Sequence, residues 1–276
     1  MASKGGPPSA EAELHRAVDL LYRTCTEPAV WPDALAAAAR PLGASGGCAF
    51  WADGADPSAA TVWLRQHGLD PGAVDLYLRE YTRADPWLNA LREPCHREGR
   101  AVTGAALVDP ASLRRTRFGA ELLPRLGVGR LLTGFAVREG TRQAILGFVR
   151  PEQAPEFAAA EERRWGLLQR HARRAIWLRE RLALAGAQEA ALDRLAHGLL
   201  LLDGGSRVLF ANRAARAALD EGDGLSHRET RLVVGGKAAA AAERLIGGAA
   251  SPEDPARPGS AGGVLAVPRP SGKRSW

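Results

Sequence analysis

Arg-Leu-Leu-Thr-Gly-Phe-Ala-Val-Arg at 130–138 and Gln-Ala-Ile-Leu-Gly-Phe-Val-Arg at 143–150 are separated by Glu139-Gly140-Thr141. Two short apolar runs joined by a glycine-bearing polar link predict an antiparallel hairpin. Toward the N-terminus, Gly47–Trp51 and Ala60–Gln66 flank Asp53-Gly-Ala-Asp-Pro-Ser58, a segment full of turn formers, and predict another. Helices fill the remaining space. Leu14, Ala17, Val18, Leu21 and Tyr22 recur at the spacing of one buried helical face after Ser9, a plausible N-cap, and Pro28 ends that helix. Trp31-Pro32-Asp33 opens a second helix, which Pro41-Leu42-Gly43 closes. Pro71 starts a third, carrying Val74, Leu76, Tyr77, Leu78 and Tyr81. Asp85-Pro86-Trp87 starts a fourth, and Gly119–Leu126 is helical. Helices, hairpin, helices, hairpin is the order of an α+β domain, an antiparallel sheet with flanking helices, over residues 11–152.

Beyond the second hairpin, Glu156 to about Leu195 holds no proline and predicts one long helix, taken as a signalling and dimerisation element over 155–196. Trp165, Leu168, Ala172, Ile176, Leu178, Leu182 and Ala185 form an approximate apolar stripe, as a helical dimer stalk requires. Between Glu161 and Arg181 seven arginines face three glutamates, which reads as a solvated face before it reads as a phosphate-binding one. A second unit over 197–276 opens with two short strands, Gly198–Leu202 and Arg207–Phe210, around Asp203-Gly-Gly-Ser206. Asn212 then caps a helix to Leu219. Ala238–Ile246 is helical and Val264–Val267 is one further strand candidate. Residues 1–10 read as a disordered leader, and the glycine- and proline-rich C-terminal end as a segment free to be disordered.

The chain has 276 residues and a formal charge of +6, with only Lys4, Lys237 and Lys273 as lysines. That arginine-rich, alanine-rich composition fits a GC-rich genome, and the charge permits polyanion binding without requiring it. No apolar run approaches the ~18 residues of a membrane span, and no apolar segment follows Lys4, so a cytoplasmic protein is expected. Cys25, Cys48 and Cys95 are too far apart for a zinc or redox pair. Cys95-His96 lies in a polar loop without a second cluster, and His171 has no acidic neighbour or nucleotide-binding glycines to make it a phospho-acceptor. With no phosphate-binding loop, zincin motif or G-x-S-x-G nucleophile elbow recognised, the expectation is a non-enzyme with no cofactor and no metal.

Two resemblances sharpen this. Gly198–Leu219, Gly-Leu-Leu-Leu-Leu-Asp-Gly-Gly-Ser-Arg-Val-Leu-Phe-Ala-Asn-Arg-Ala-Ala-Arg-Ala-Ala-Leu, looks like the opening of a PAS domain. The N-terminal half, with Tyr81-Thr-Arg-Ala-Asp85-Pro86-Trp87 and Leu126-Gly127-Val128, is similar to the GAF-like, autoinducer-type sensor halves of LuxR-family transcription regulators. The resemblance implies a GAF-like sensor, a signalling helix, a partial PAS-like domain and a homodimer. It also implies a small-molecule ligand between sheet and helices, where Tyr, Asp and Trp residues contact it in acyl-homoserine-lactone receptors. Phe50, Trp51, Trp63, Tyr77, Tyr81, Trp87 and Phe118 crowd that region, and Trp63, Tyr77, Tyr81, Asp85 and Trp87 are the candidate ligand contacts; ordinary core aromatics are the alternative. Only 79 residues follow position 197 and no helix-turn-helix is visible. The chain therefore reads as lacking the DNA-binding domain, so that DNA is reached only indirectly. A stand-alone module that dimerises with full-length regulators, or an enzyme with an unfamiliar site, are the other readings.

Overall fold

The computed structural model describes residues 9–53, 61–250 and 263–276; the chain divides into two compact units, one ending at Leu182 and one beginning at Ala183. The architecture is α+β. The expected leader falls almost wholly outside the described residues, and the order begins at Ser9, whose hydroxyl accepts from Ala12 N and caps α1 (Ala10–Arg23).

In the first unit α1 is followed by α2 (Trp31–Ala39), β1 (Gly46–Asp53) and β2 (Thr61–His67). Next come α3 (Pro71–Leu76), α4 (Pro86–Leu91), β3 (Val102–Thr103), α5 (Gly104–Leu107), α6 (Pro110–Arg114) and α7 (Leu123–Leu126). One device opens three of these helices: Asp70-Pro71, Asp85-Pro86 and Asp109-Pro110 each place a carboxylate at the N-cap and a proline at the first helical position. The aspartate satisfies an orphan N–H, and the proline has none to satisfy. Wide π turns at Tyr77–Tyr81 and Phe118–Leu122 extend α3 and precede α7. The predicted central hairpin is β4 (Arg130–Glu139) and β5 (Arg142–Arg150), with Gly140 at φ +56° in its turn.

The strands form one antiparallel sheet in the order β2-β1-β5-β4-β3. Period-two alternation sends Ala49, Trp51, Leu132, Leu146 and Phe148 to one face, where α1, α2 and the first half of α8 (Ala159–Leu192) cover them with Trp31, Leu35, Trp165 and Leu168. The other face carries Cys48, Phe50, Ile145 and Val149 beneath α3–α7. Both faces are buried, which is why the strands read as nearly continuous apolar runs rather than alternating ones. Gly134 has to be glycine because a Cβ there would lie 2.6 Å from the Trp165 ring and 2.3 Å from Arg100 O. Arg150 is 8% exposed and spends its guanidinium on the carbonyls of Leu42, Gly43, Pro155 and Glu156, stitching the ends of α2 and β5 together. Two helix arginines are likewise used internally: Arg164 bonds Pro41 O, and Arg173 pairs with Glu98 at 2.8 Å.

The second unit begins within α8 and continues with β6 (Leu200–Leu202), β7 (Val208–Ala211), α9 (Arg213–Glu221), β8 (Leu225–Arg228), β9 (Arg231–Val234) and α10 (Ala239–Ala250). Asn212 is fully buried; its amide accepts from Leu199 N and Ala215 N and donates to Leu192 O and His197 O. The β8–β9 hairpin was not anticipated from the sequence. It joins the first hairpin through Val208 N to Thr230 O and Leu232 N to Ser206 O. Val264–Val267 is not a strand. Instead Val267 and Trp276 exchange backbone hydrogen bonds, and the segment is tied to the end of α9 by Arg269 on Asp223 (2.7 Å) and Glu221 (2.6 Å). Among the described residues no helix is long and apolar enough to cross a membrane.

Candidate functional site

The sheet supplies a floor that only strand pairing can assemble. Cys48 lies opposite Gly147 and Gly147 opposite Thr133, so three residues from β1, β5 and β4 form one row. The glycine keeps this row low, since a Cβ at 147 would come within 3.3 Å of Cys48 Sγ. Over the floor, the π turn that extends α3, α4 with its cap, and the π turn before α7 bring Tyr77, Asp85, Trp87, Leu88 and Phe118, which line a mostly apolar cavity of about 130 Å³.

Its polar groups are few and converge. Asp85 Oδ1 caps α4 by accepting from Trp87 N (2.9 Å) and Leu88 N (3.1 Å), and Oδ2 accepts the Tyr77 hydroxyl at 3.1 Å. Burial pushes the Asp85 carboxyl from the ordinary 3.8 up to about 6, against the stabilising effect of those three hydrogen bonds. Burial, with Asp85 beside it, holds Tyr77 well above the usual phenol value. Burial also pushes the Cys48 thiol up to about 11. Thr133 spends its hydroxyl on Leu146 O. Trp87 is 6% exposed, donates Nε1–H to Gly104 O at 3.2 Å and meets Phe118 edge-on at 5.8 Å.

The five candidates do not all meet. Tyr77, Asp85 and Trp87 line the cavity. Tyr81 packs its ring near Phe118 but sends its hydroxyl away, to Glu121 at 2.9 Å, where Arg117 also binds. Trp63 is placed in β2 opposite Trp51, and its side chain lies outside the described residues. Cys48, Thr133, Ile145 and Gly147 were not singled out in the sequence as ligand contacts. They carry no chemistry-bearing spacing and reach the site only through the strand register.

The other chemical candidates form no second site among the described residues. Gly43-Ala44-Ser45-Gly46-Gly47 has G-x-S-x-G spacing, but it runs from a turn into β1 rather than from a strand into a helix. Ser45 Oγ donates to Val149 O, so this is not a nucleophile elbow. His171 Nδ1 lies 3.3 Å from the Tyr22 hydroxyl. Cys95 is exposed, and among the described residues no cluster of histidines, cysteines and carboxylates forms a metal site.

No family model matches the chain and no curated protein sequence matches it, but solved structures resemble it at a distance. The VqsR ligand-binding domain from Pseudomonas aeruginosa is 14% identical over 60% of this chain and 96% of its own, with a TM-score of 0.47. CepR2 from Burkholderia cenocepacia, described as an N-acylhomoserine-lactone-dependent LuxR-family transcription factor, is 19% identical over 63% of this chain and 98% of its own, with a TM-score of 0.47. The phycoerythrobilin-bound GAF domain of a cyanobacterial phytochrome is 13% identical over 63% and 98%, with a TM-score of 0.40.

Proposed function

We propose that the N-terminal unit is a small-molecule sensor of the LuxR-regulator type and that its ligand enters the cavity between the sheet and α3–α7. The observation that carries this reading is the Tyr77–Asp85 pair, buried at 3.1 Å in a predominantly apolar cavity. Apolar walls with a few convergent polar groups are the physical description of a ligand site. The carboxylate is suited to accept a ligand N–H or O–H. Catalysis is poorly served by the same groups, because Asp85 is engaged as a helix cap, and the neighbouring thiol and phenol are both held in their neutral forms by burial. The volume, about 130 Å³, resembles the ~150 Å³ of an engineered cavity that accepts benzene.

The proposal extends to output. Trp165, Leu168, Ala172 and Ile176 of the predicted stripe are buried in the sensor's own core and are not available to a stalk. The sensor dimerises along the later part of α8, where Trp177, Leu178, Leu182 and Leu184 are between 37% and 53% exposed, and it acts on transcription through a DNA-binding domain. The PAS-like reading of the second unit and a cytoplasmic location belong to the same proposal. Protein-observed NMR with a panel of small phenols, amides and N-acylhomoserine lactones tests the site. Shifts centred on Tyr77, Asp85 and Ile145, lost in Asp85→Ala, are expected. Shifts that ignore these residues in every case would exclude this cavity as the sensor site.

A further inference from the structure

A second recess lies against the first. It is a cleft of about 460 Å³, bounded by α5–α7 and the segment after β5, and it has a charged rim. Arg114 pairs with Glu152 across 3.8 Å there, and Arg130 with Glu156 across 3.5 Å. Both contacts are long, and the Arg130 Nε, although buried, completes no hydrogen bond. Four residues line both the inner cavity and this cleft: Trp87, Leu123, Val128 and Leu131. They are therefore the wall between the two.

The wall is unequal. Leu131 is fixed in β4, and Val128 donates its backbone N–H to Leu123 O. Trp87, carried on α4, is the largest piece, and its ring is held by one hydrogen bond, to Gly104 O at the start of α5, and by the edge-on contact with Phe118. Gly104 has no Cβ, and one placed there would lie 3.0 Å from two indole atoms, so the ring fits only because position 104 is bare. Rotation about two side-chain torsions moves the indole without moving backbone. The inner cavity alone is smaller than the ~300–1,000 Å³ of ordinary ligand sites, whereas the cleft alone falls within that range.

We propose that Trp87 is a movable partition between two compartments of one binding site, and that it sets the length of ligand the protein accepts. The inference rests on the inner cavity being the ligand site. The ligand it describes has a compact, donor-bearing apolar body for the inner cavity and a polar extension that passes Trp87 to reach Arg114 and Arg130. The charged rim, in exchange, trades its long internal ion pairs for contacts to that extension.

Calorimetric titration of the full chain with 4-methylphenol and with 4-(4-hydroxyphenyl)butanoate tests this. Trp87→Ala is expected to raise the affinity of the longer probe relative to the shorter one at least tenfold. Adding Arg130→Met should remove most of the gain. Leu123→Ala opens the wall from the other side and should favour the longer probe in the same sense, which keeps the test decisive if Trp87→Ala does not fold. Equal changes for both probes, or none for the longer one in either variant, would overturn the partition while leaving the inner site intact, provided that 4-methylphenol binding still depends on Asp85. If 4-methylphenol binds nowhere, or binds without regard to Asp85→Asn, the inner-site reading fails and the partition falls with it.

Discussion

The two units of this chain are held together by different physics. The first buries aromatic and aliphatic side chains on both faces of a five-stranded sheet, with Trp31, Trp165, Phe135 and Phe148 all nearly inaccessible. The second buries little of that size: Ala215, Leu219, Ala238, Ala242 and Val267 are its buried apolar residues among those described, while Leu201 and Leu209 are each 58% exposed. Its order comes from polar fastenings, with Asn212 under α9, Asp203 in the β6–β7 turn, Asp193 paired with Arg216, and Asp223 gripping Arg269. Apolar burial is forgiving of geometry and strong in bulk, whereas hydrogen-bonded fastenings are directional, and each one lost leaves a group unpaired.

That contrast sets the size of several effects. Phe148→Ala should destabilise the first unit by about 3–5 kcal/mol, read from the denaturant midpoint. The same truncation at Leu219 in the second unit should cost less, and the reverse ranking would break the comparison. Asn212→Ala should cost the second unit about 2–4 kcal/mol, because four hydrogen bonds go at once and the Leu199 and Ala215 N–H groups and the His197 carbonyl lose this partner. Hydrogen exchange at the Leu199 and Ala215 amides would report it; unchanged protection would mean that the apolar residues suffice there.

The two units should also answer pH in opposite senses. Asp85 has a folded-state pKa raised to about 6, so the folded protein holds a proton that the unfolded chain has released. Its contribution is complete below about pH 4 and is lost as pH rises toward 6, by up to ~3 kcal/mol. Asp85→Asn, which keeps the helix cap, should flatten the first unit's stability over that window. Asp223 is held down to about 2 by hydrogen bonds from Ser271 and by Arg269. Its contribution is present above about pH 4 and is lost as pH falls through 2. Smallest of all, Asp223→Asn should leave the fold standing and speed proteolytic cleavage within 263–276. An unaltered cleavage rate would show that the Val267–Trp276 pairing holds this segment without the carboxylate.

What could be read in advance follows the same division. The central hairpin was legible because two buried strands and a glycine turn are local statements, and the starts of α1, α3 and α4 were legible because Ser9, Pro71 and Asp85-Pro86 are too; Asp109-Pro110 carries the same local signal and was passed over. The β8–β9 hairpin escaped because Arg228-Glu229-Thr230-Arg231 carries no glycine or asparagine, and Glu229 itself adopts the left-handed conformation at φ +55°. Within the site, Tyr77, Asp85 and Trp87 share one short stretch and could be grouped from it. The floor residues come from three strands up to a hundred positions apart, and no local pattern announces a row made of a cysteine, a glycine and a threonine. Tyr81 was misleading for a geometric reason: a π turn rather than an α turn carries it, and its hydroxyl leaves the cavity for Glu121.

Asn212 has one more consequence. A single amide holds the last turn of α8 through Leu192 O, the entry to β6 through Leu199 N and the first turn of α9 through Ala215 N. Sliding the helix by one residue would carry the Leu192 carbonyl about 1.5 Å along the axis and ~100° around it, beyond the reach of that amide. The foot of α8 is thus riveted within the second unit: helix end, hairpin entry and α9 are fixed to one another at a single buried side chain.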